Sequence, residues 1–453
     1  MVMSRHEPFT FQSGPELLRK AGELGGELPF QDSVSPLFEC LAIGSKTLVN
    51  RLAVQPMEGF DADTDGSPGE LTFRRYRRYA EGGCGLIWFE ATSVVPEGRS
   101  NPHQLMLHPR NLDSFKRLVD ETRRSSQKVF GSSHEIFLVL QLTHSGRYSQ
   151  PEGQPLRQVA DFNPNLDRKP EDVRILSDDE LDRYQDKYVE VARLAEQAGF
   201  DAVDIKACHG YLVNELLAAR TRESSRYGET FENRILFLSE VIQKIRDRTP
   251  GLCLAVRLSA FDGIPGGFGV SGDNPEDIDL SEPIELVRQL AQSNCSLFNI
   301  TVGNPYEKPH LGRPFDLPLL GTPLPEEHPL EGITRLLRIT SAFQKEFPDI
   351  PFVGTGYSWL RHFFPNVGAA VIQRGEASLI GLGRSSFAYP DAPRDLMSSG
   401  ALDPAKVCIS CSRCTELMRK GNESGCVMRD KEIYGKLYQK LSIKGKDNEK
   451  KHD

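Results

Sequence analysis

Asp201-Ala202-Val203-Asp204-Ile205, followed at once by Lys206-Ala207-Cys208-His209-Gly210-Tyr211-Leu212, is one strand and the turn that leaves it. The first five residues are a short, mostly apolar run of strand character. A lysine, a histidine and a tyrosine leave its end within six positions. Each can donate a proton or polarise a carbonyl oxygen. Further on, Tyr227-Gly228-Glu229-Thr230-Phe231-Glu232-Asn233-Arg234 opens a helix. The stretch is therefore a strand–turn–helix unit with chemistry at its turn.

The same unit recurs along the chain. Candidate strands are Arg51–Gln55, Leu86–Glu90, Phe137–Leu142, Ala202–Ile205, Leu252–Leu258, Leu297–Thr301, Pro351–Thr355 and Ser378–Leu382. Each is a compact apolar run, as expected of strands covered on both faces. Helical patterns lie between them. Ser177-Asp178-Asp179-Glu180 reads as a capping box ahead of Leu181, Tyr184, Tyr188, Val191 and Leu194 on one face. Pro283 reads as the start of a helix carrying Ile284, Val287, Leu290 and Ala291. Eight alternations predict an α/β protein with a (β/α)8 TIM barrel rather than an open doubly wound sheet. No GxGxxG follows the first strand, against a Rossmann unit.

The domain reading is an N-terminal arm over 1–37, the barrel over 38–400, and a Cys-rich segment with a Lys-rich tail over 401–453. The tail from Lys431 to Asp453 reads as a solvated surface helix. Length is ample for one large core: 453 residues with 38% hydrophobic and 26% charged. A net charge of -8 argues against a general nucleic-acid binder. No apolar run reaches membrane-helix length, and residues 1–10 lack a signal pattern. A cytoplasmic homo-oligomer with neither nucleic-acid nor membrane partners is the expectation. Of nine cysteines, Cys40, Cys84, Cys208, Cys253 and Cys295 are scattered and read as buried thiols.

In a TIM barrel the chemistry lies where the strands end. The first strand ends in Gln55-Pro56-Met57-Glu58, the second in Glu90-Ala91-Thr92, and the third in Gln141-Leu142-Thr143-His144-Ser145-Gly146-Arg147. The fourth gives Lys206, His209 and Tyr211; the fifth carries Arg257 and Ser259. The seventh and eighth end in Gly354-Thr355-Gly356 and Gly381-Leu382-Gly383-Arg384. Glycine turns at those two strands expose backbone N–H groups that can cradle a phosphate, and Arg384 adds a bidentate cation. A phosphate-bearing ligand is predicted.

Asn50-Arg51-Leu52-Ala53-Val54-Gln55-Pro56-Met57, Gly82-Gly83-Cys84-Gly85-Leu86-Ile87, Glu90-Ala91-Thr92, the Gln141–Arg147 run and residues 204–234 stand in the order of one family's motifs. With Arg257 and Gly381–Arg384 they resemble the flavin-dependent Old Yellow Enzyme family over roughly 38–400. The resemblance implies non-covalent FMN in a TIM barrel. It implies Gln141 at the pyrimidine edge and Arg257 near N1 and O2. Pro56, Met57 and Ala91 would line the ring, and Gly356, Gly383 and Arg384 would hold the phosphate. It also implies ene-reduction: hydride passes to an electron-poor C=C bond, Tyr211 protonates the other carbon, and His209 and Lys206 hold the activating oxygen. An unsaturated carbonyl compound is the implied substrate and NAD(P)H the implied donor.

Two positions depart from the family. Lys206 stands where many members carry His, and Glu58 where members often carry Thr or Cys. A Lys206–Glu58 pair would cancel the repulsion of the carboxylate toward reduced flavin, although the first and fourth strands are not neighbours. Tyr306, His310 and Arg313 lie in a Pro-rich loop after the sixth strand, Gly303 to Gly332, and are expected over the flavin near substrate.

Cys408-Ile409-Ser410-Cys411-Ser412-Arg413-Cys414, with Cys426, places four thiols in nineteen residues. Such spacing reads as a metal site rather than disulfides. Its position after the barrel resembles the iron–sulfur subgroup that includes 2,4-dienoyl-CoA reductase and trimethylamine dehydrogenase, which implies a 4Fe–4S cluster. Zinc and free thiols remain open, because the second gap is one residue short. The subgroup's C-terminal FAD and nucleotide domains have no counterpart here, so an electron-donor protein is a further expected partner. The competing readings are an FMN-dependent amine dehydrogenase or demethylase, which Lys206 opposes by charge, and an electron-transfer flavoprotein subunit, which has no use for Tyr211. An aldolase or isomerase on the same fold would be colourless.

Overall fold

The computed structural model describes residues 4–272 and 274–441. Eight parallel strands close a barrel: β1 (Leu52–Val54), β2 (Leu86–Ser93), β3 (Phe137–Thr143), β4 (Ala202–Ala207), β5 (Cys253–Ser259), β6 (Cys295–Thr301), β7 (Phe352–Gly354) and β8 (Leu379–Leu382). Neighbours follow chain order, and β8 pairs with β1 through Ile380 opposite Leu52. All eight predicted strands are present. Around them pack α1 (Glu70–Glu81), α2 (Leu112–Phe130), α3 (Asp178–Ala198), α4 (Phe231–Arg248), α5 (Ser281–Gln292), α6 (Pro329–Glu346) and α7 (Phe364–Gln373), with α8 (Ala392–Ser399) after β8. The capping box opens α3: the Ser177 hydroxyl accepts from Glu180 N, and the Glu180 carboxylate accepts from Ser177 N. Helix α5 starts two residues before Pro283.

The period-two pleat sorts side chains into two cores. Outward residues such as Leu52, Ile87, Leu138, Val203 and Val256 pack on the helices. Inward residues Ala53, Trp88, Val139, Ala202, Ala255, Leu297, Val353 and Leu379 fill the barrel bottom. Two residues further along several strands the inward positions turn polar: Gln55, Gln141, Asp204, Arg257 and Asn299. Gln55 and Asn299 exchange two amide hydrogen bonds, of 2.7 and 3.2 Å. Asp204 accepts from Gln141 Nε2 at 2.6 Å, Trp88 Nε1 at 2.9 Å and Arg257 N at 2.6 Å. Burial pushes its carboxyl up to about 6. Gly381 is required here, since a Cβ would lie 2.0 Å from Gln55 Nε2.

At the N-terminus, ahead of a helix over Gly14–Glu23, the Phe9 ring packs on the 357–363 turn, edge-on to Trp359 at 5.2 Å. At the C-terminal side, α9 (Arg413–Arg419) and Ser424 lie at the barrel mouth, and the chain to 441 continues from there. Asp430 ties this segment to α1 through Arg74 at 2.7 Å and Arg78 at 2.8 Å, and Ser424 N donates to Gly59 O. The reading of Lys431 onward as a solvated helix is corrected for its first part. Tyr434 is buried, and Ile433, Leu437 and Leu441 pack with Leu417 and Val427. Residues 442–453 of that tail lie outside the described residues.

Candidate active site

Strand ends β1, β4, β5, β6, β7 and β8 converge on a cavity with about 1210 Å³ of atom-free space, part of it open to solvent. Pro56, Met57, Glu58, Lys206, His209, Tyr211, Arg257, Tyr306, Arg313, Gly356, Gly383 and Arg384 all line it. Ala91 and Gln141 do not; both are buried, with Gln141 held by Asp204. His310 departs from its expected place over the flavin site. The turn Pro309–Gly312 points it to a separate surface groove, 3.8 Å from Glu327.

The turn after β4 sets the chemistry. His209 and Gly210 both take positive φ, 66° and 70°, so the chain doubles back within two residues. Asn214 Oδ1 accepts from Gly210 N at 2.7 Å and pins the bend. His209 and Tyr211 thereby face the same cavity. Burial, then Arg257, Lys206 and Arg313, hold the imidazole well below its ordinary value, so it is neutral. Burial and the Glu58 carboxylate hold the Tyr211 phenol well above its own, so it keeps its proton.

The Lys206–Glu58 pair exists. Lys206 Nζ donates to Glu58 Oε1 at 3.2 Å and lies 3.6 Å from the Tyr211 ring centroid. The loop after β1 carries Glu58 over the barrel mouth, so adjacency of strands is unnecessary. The same carboxylate accepts from Tyr211 Oη and Ser100 Oγ, both at 3.3 Å. Tyr306 Oη is 3.3 Å from Tyr211 Oη. Tyr306 is clamped between the Tyr148 ring, stacked at 3.6 Å, and the Arg419 guanidinium at 3.8 Å. Tyr148, Ser100 and Arg419 were missed in the sequence. Tyr148 directly follows the Gln141–Arg147 motif, the one local signal available.

Several groups in the wall have no partner. Arg257 Nε, Arg384 Nη1 and Arg313 Nη2 are buried without a hydrogen bond. Gly356 has φ 101°, and a Cβ there would lie 2.9 Å from Leu336. At Gly383 a Cβ would meet Met57 Sδ at 3.2 Å. An orphaned guanidinium beside two glycine turns fits a phosphate, and an unpaired Arg257 deeper in fits the electron-rich edge of a flavin. The residues fit FMN.

Cys408, Cys411, Cys414 and Cys426 surround a second cavity of about 350 Å³ of atom-free space. Cys414 and Arg384 form the wall between the two cavities, lining both. Among the described residues no three His, Cys, Asp or Glu side chains are grouped to hold a metal ion. The expected metal site is not borne out as a set of ligands to one ion. Also among the described residues, no helix is long and apolar enough to cross a membrane.

Fold and site define a flavin-dependent NAD(P)H oxidoreductase on a (β/α)8 barrel. Residues 36–285 match the NADH:flavin oxidoreductase / NADH oxidase family, and the chain belongs to it. An NADPH dehydrogenase of Geobacillus thermodenitrificans is 35% identical over 274 residues, covering 59% of this chain and 73% of that one. In solved structures, a 2-naphthoyl-CoA reductase complex superposes with TM-score 0.71 at 19% identity, over 89% of this chain and 58% of the other. An Old Yellow Enzyme homologue from Zymomonas mobilis superposes with TM-score 0.60 at 24% identity, over 81% and 94%. At these identities the two structures speak for the fold alone.

Proposed function

We propose that the protein is an FMN-dependent ene-reductase in which Tyr211 is the proton donor. The observation that carries this reading is the Tyr211 hydroxyl set beside His209 and Lys206 in one cavity wall, where the surroundings favour the neutral forms of the phenol and the imidazole. A bound FMN would supply the hydride chemistry between NAD(P)H and the electron-poor carbon of the alkene. Arg257 would hold its pyrimidine edge, Pro56 and Met57 its ring, and Gly356, Gly383 and Arg384 its phosphate, while Gln141 and Ala91, expected at the ring from the sequence, stand behind the wall. His209 and Lys206 donate hydrogen bonds to the activating oxygen as it gains charge. Tyr211 gives its proton to the adjacent carbon, and a proton from solvent restores it by way of the Tyr306 hydroxyl 3.3 Å away. Glu58 fixes the phenol and balances Lys206. The cations around the cavity oppose a positively charged amine substrate.

The test is stopped-flow with a cyclic enone and its ene product. Tyr211→Phe should slow enone reduction by about 100-fold while leaving flavin reduction by NAD(P)H unchanged. Equal slowing of both half-reactions, or of neither, rejects the assignment.

A second reading concerns the four cysteines. A single tetrahedral zinc at about 2.3 Å from each sulfur needs thiolates roughly 3.8 Å apart, and no such group stands among the described residues. Four cysteines around one cavity favour the wider 4Fe–4S cluster. Protein prepared without oxygen should then carry iron and acid-labile sulfide; zinc alone, or neither, rejects this.

A further inference from the structure

Five cationic side chains line the active-site cavity against one carboxylate, Glu58, and Lys206 already engages that carboxylate. The other four, Arg257, Arg313, Arg384 and Arg419, have no carboxylate partner among the described residues. Their hydrogen bonds go elsewhere. Arg313 Nη1 donates to the Thr415 hydroxyl. Arg384 Nη2 donates to Pro314 O at 2.6 Å, and Arg419 Nη2 to Pro305 O at 2.8 Å. Arg384 and Arg419 repel Arg313, and Cys414 is the one neighbour that draws its charge. Like charges gathered in a half-buried wall with no carboxylate counter-charge are costly. An anion that belongs in the cavity removes the cost.

The flavin accounts for two of the four. Arg257 answers to the pyrimidine edge, and Arg384 sits with the glycine turns at the phosphate end. Arg313 and Arg419 remain. They arrive from two different elements, the β6 loop and α9, and line the same cavity, Arg419 beside Tyr306 and Arg313 near enough to His209 to act on its charge. Arg313 keeps a buried, unpartnered Nη2. Arg419 lies flat on the Tyr306 ring, whose hydroxyl touches that of Tyr211. An anionic group held by this pair would be placed next to the proton donor.

We propose that the substrate carries an oxyanion, of carboxylate or phosphate type, which Arg313 and Arg419 bind while its double bond lies against Tyr211. The proposal rests on the ene-reductase reading for the double bond, but the oxyanion site itself is independent of it. A planar guanidinium matches both oxyanions with paired N–H groups.

The experiment titrates oxidised, flavin-loaded protein with three probes: a cyclic enone bearing a carboxylate, the same enone bearing a phosphonate, and the methyl ester of the carboxylate. Binding is read from the flavin absorption band and by calorimetry. At least one anionic probe should bind about tenfold or more tightly than the ester, and the tighter of the two identifies the oxyanion. That margin should collapse in Arg419→Met, a substitution at an exposed position, and in Arg313→Met. Arg313→Lys, which keeps the charge, should retain part of it. An ester that binds as well as both anions overturns the proposal, as does a margin that survives both Met substitutions. So does an Arg313→Met protein that keeps the margin but loses iron, which would assign Arg313 to the cysteine segment. The binding readout does not depend on turnover, so failure of every probe to be reduced in a separate assay with NAD(P)H would reject the ene-reductase reading and leave an observed oxyanion preference standing.

Discussion

Buried arginines of two kinds divide the molecule. On the helix side of the barrel, Arg75 stands between Asp61 and Glu90, with Nη contacts of 2.5 Å to each. Those carboxylates hold its guanidinium well above the ordinary value in spite of complete burial. Arg147 is likewise engaged by Asp167 and Glu215. On the cavity side, Arg257 and Arg313 are pushed down by burial, and neither has a carboxylate partner among the described residues. A buried cation with its counter-ion is a structural element. A buried cation without one marks a place where the counter-ion comes from outside.

The sharpest way to break this contrast is to remove one arginine of each kind. Arg75→Met leaves Asp61 and Glu90 buried and uncompensated. It should destabilise the fold by about 3–5 kcal/mol in chemical denaturation, with flavin affinity per folded molecule preserved. Arg384→Met should do the reverse. Stability of the flavin-free protein stays level or rises, while FMN affinity falls by about 10- to 100-fold, read by fluorescence titration. If Arg384→Met unfolds the apoprotein as Arg75→Met does, the division into structural and ligand-binding arginines is wrong.

Glu58 tests the boundary between the two kinds, because Lys206 is the one cation of the cavity with a built-in partner. Glu58→Thr leaves the Lys206 charge uncancelled beside the flavin site. The flavin potential should rise by about 30 mV or more, and Lys206→Met added to it should bring the potential back. An unchanged potential in the single variant means the pair lies too far from the flavin to matter.

The same contrast explains what could be read before the structure. All eight strands were legible because each is buried on both faces and so is written as an unbroken apolar run. The core of the site was legible because Lys206, His209 and Tyr211 leave a single strand end, where spacing in the sequence is spacing in space. Contacts between distant segments were not. Nothing local in Arg419 says that α9 folds back across the mouth to cover Tyr306, 113 positions earlier in numbering. The Glu58–Lys206 contact could be raised but not decided, since the loop after β1, and not the strand order, makes it. His310 was misplaced because a single helical turn, Pro309–Gly312, sends adjacent side chains to different faces.

The smallest expected effect concerns a residue that this cationic wall keeps neutral. His209 is half-buried in the cavity wall and faces Arg257, Lys206 and Arg313, so desolvation and these cations hold its imidazole well below the ordinary 6.5. The unfolded chain accepts that proton as pH falls through 6.5, and the folded chain does not. Unfolding therefore becomes easier on the acid side by up to about 1.4 kcal/mol per pH unit from this residue. His209→Asn removes the difference, and the decline in stability between pH 6.5 and 5 should be shallower than in the native protein, read from denaturation midpoints across that range. Bound FMN sharpens the result: its phosphate and reduced ring add negative charge near the same arginines, so the native protein's acid decline should lessen when flavin is present and reduced. An acid limb of equal steepness with and without His209 would mean that the imidazole is protonated in the folded state, and that the cavity is less positive than its unpaired arginines imply.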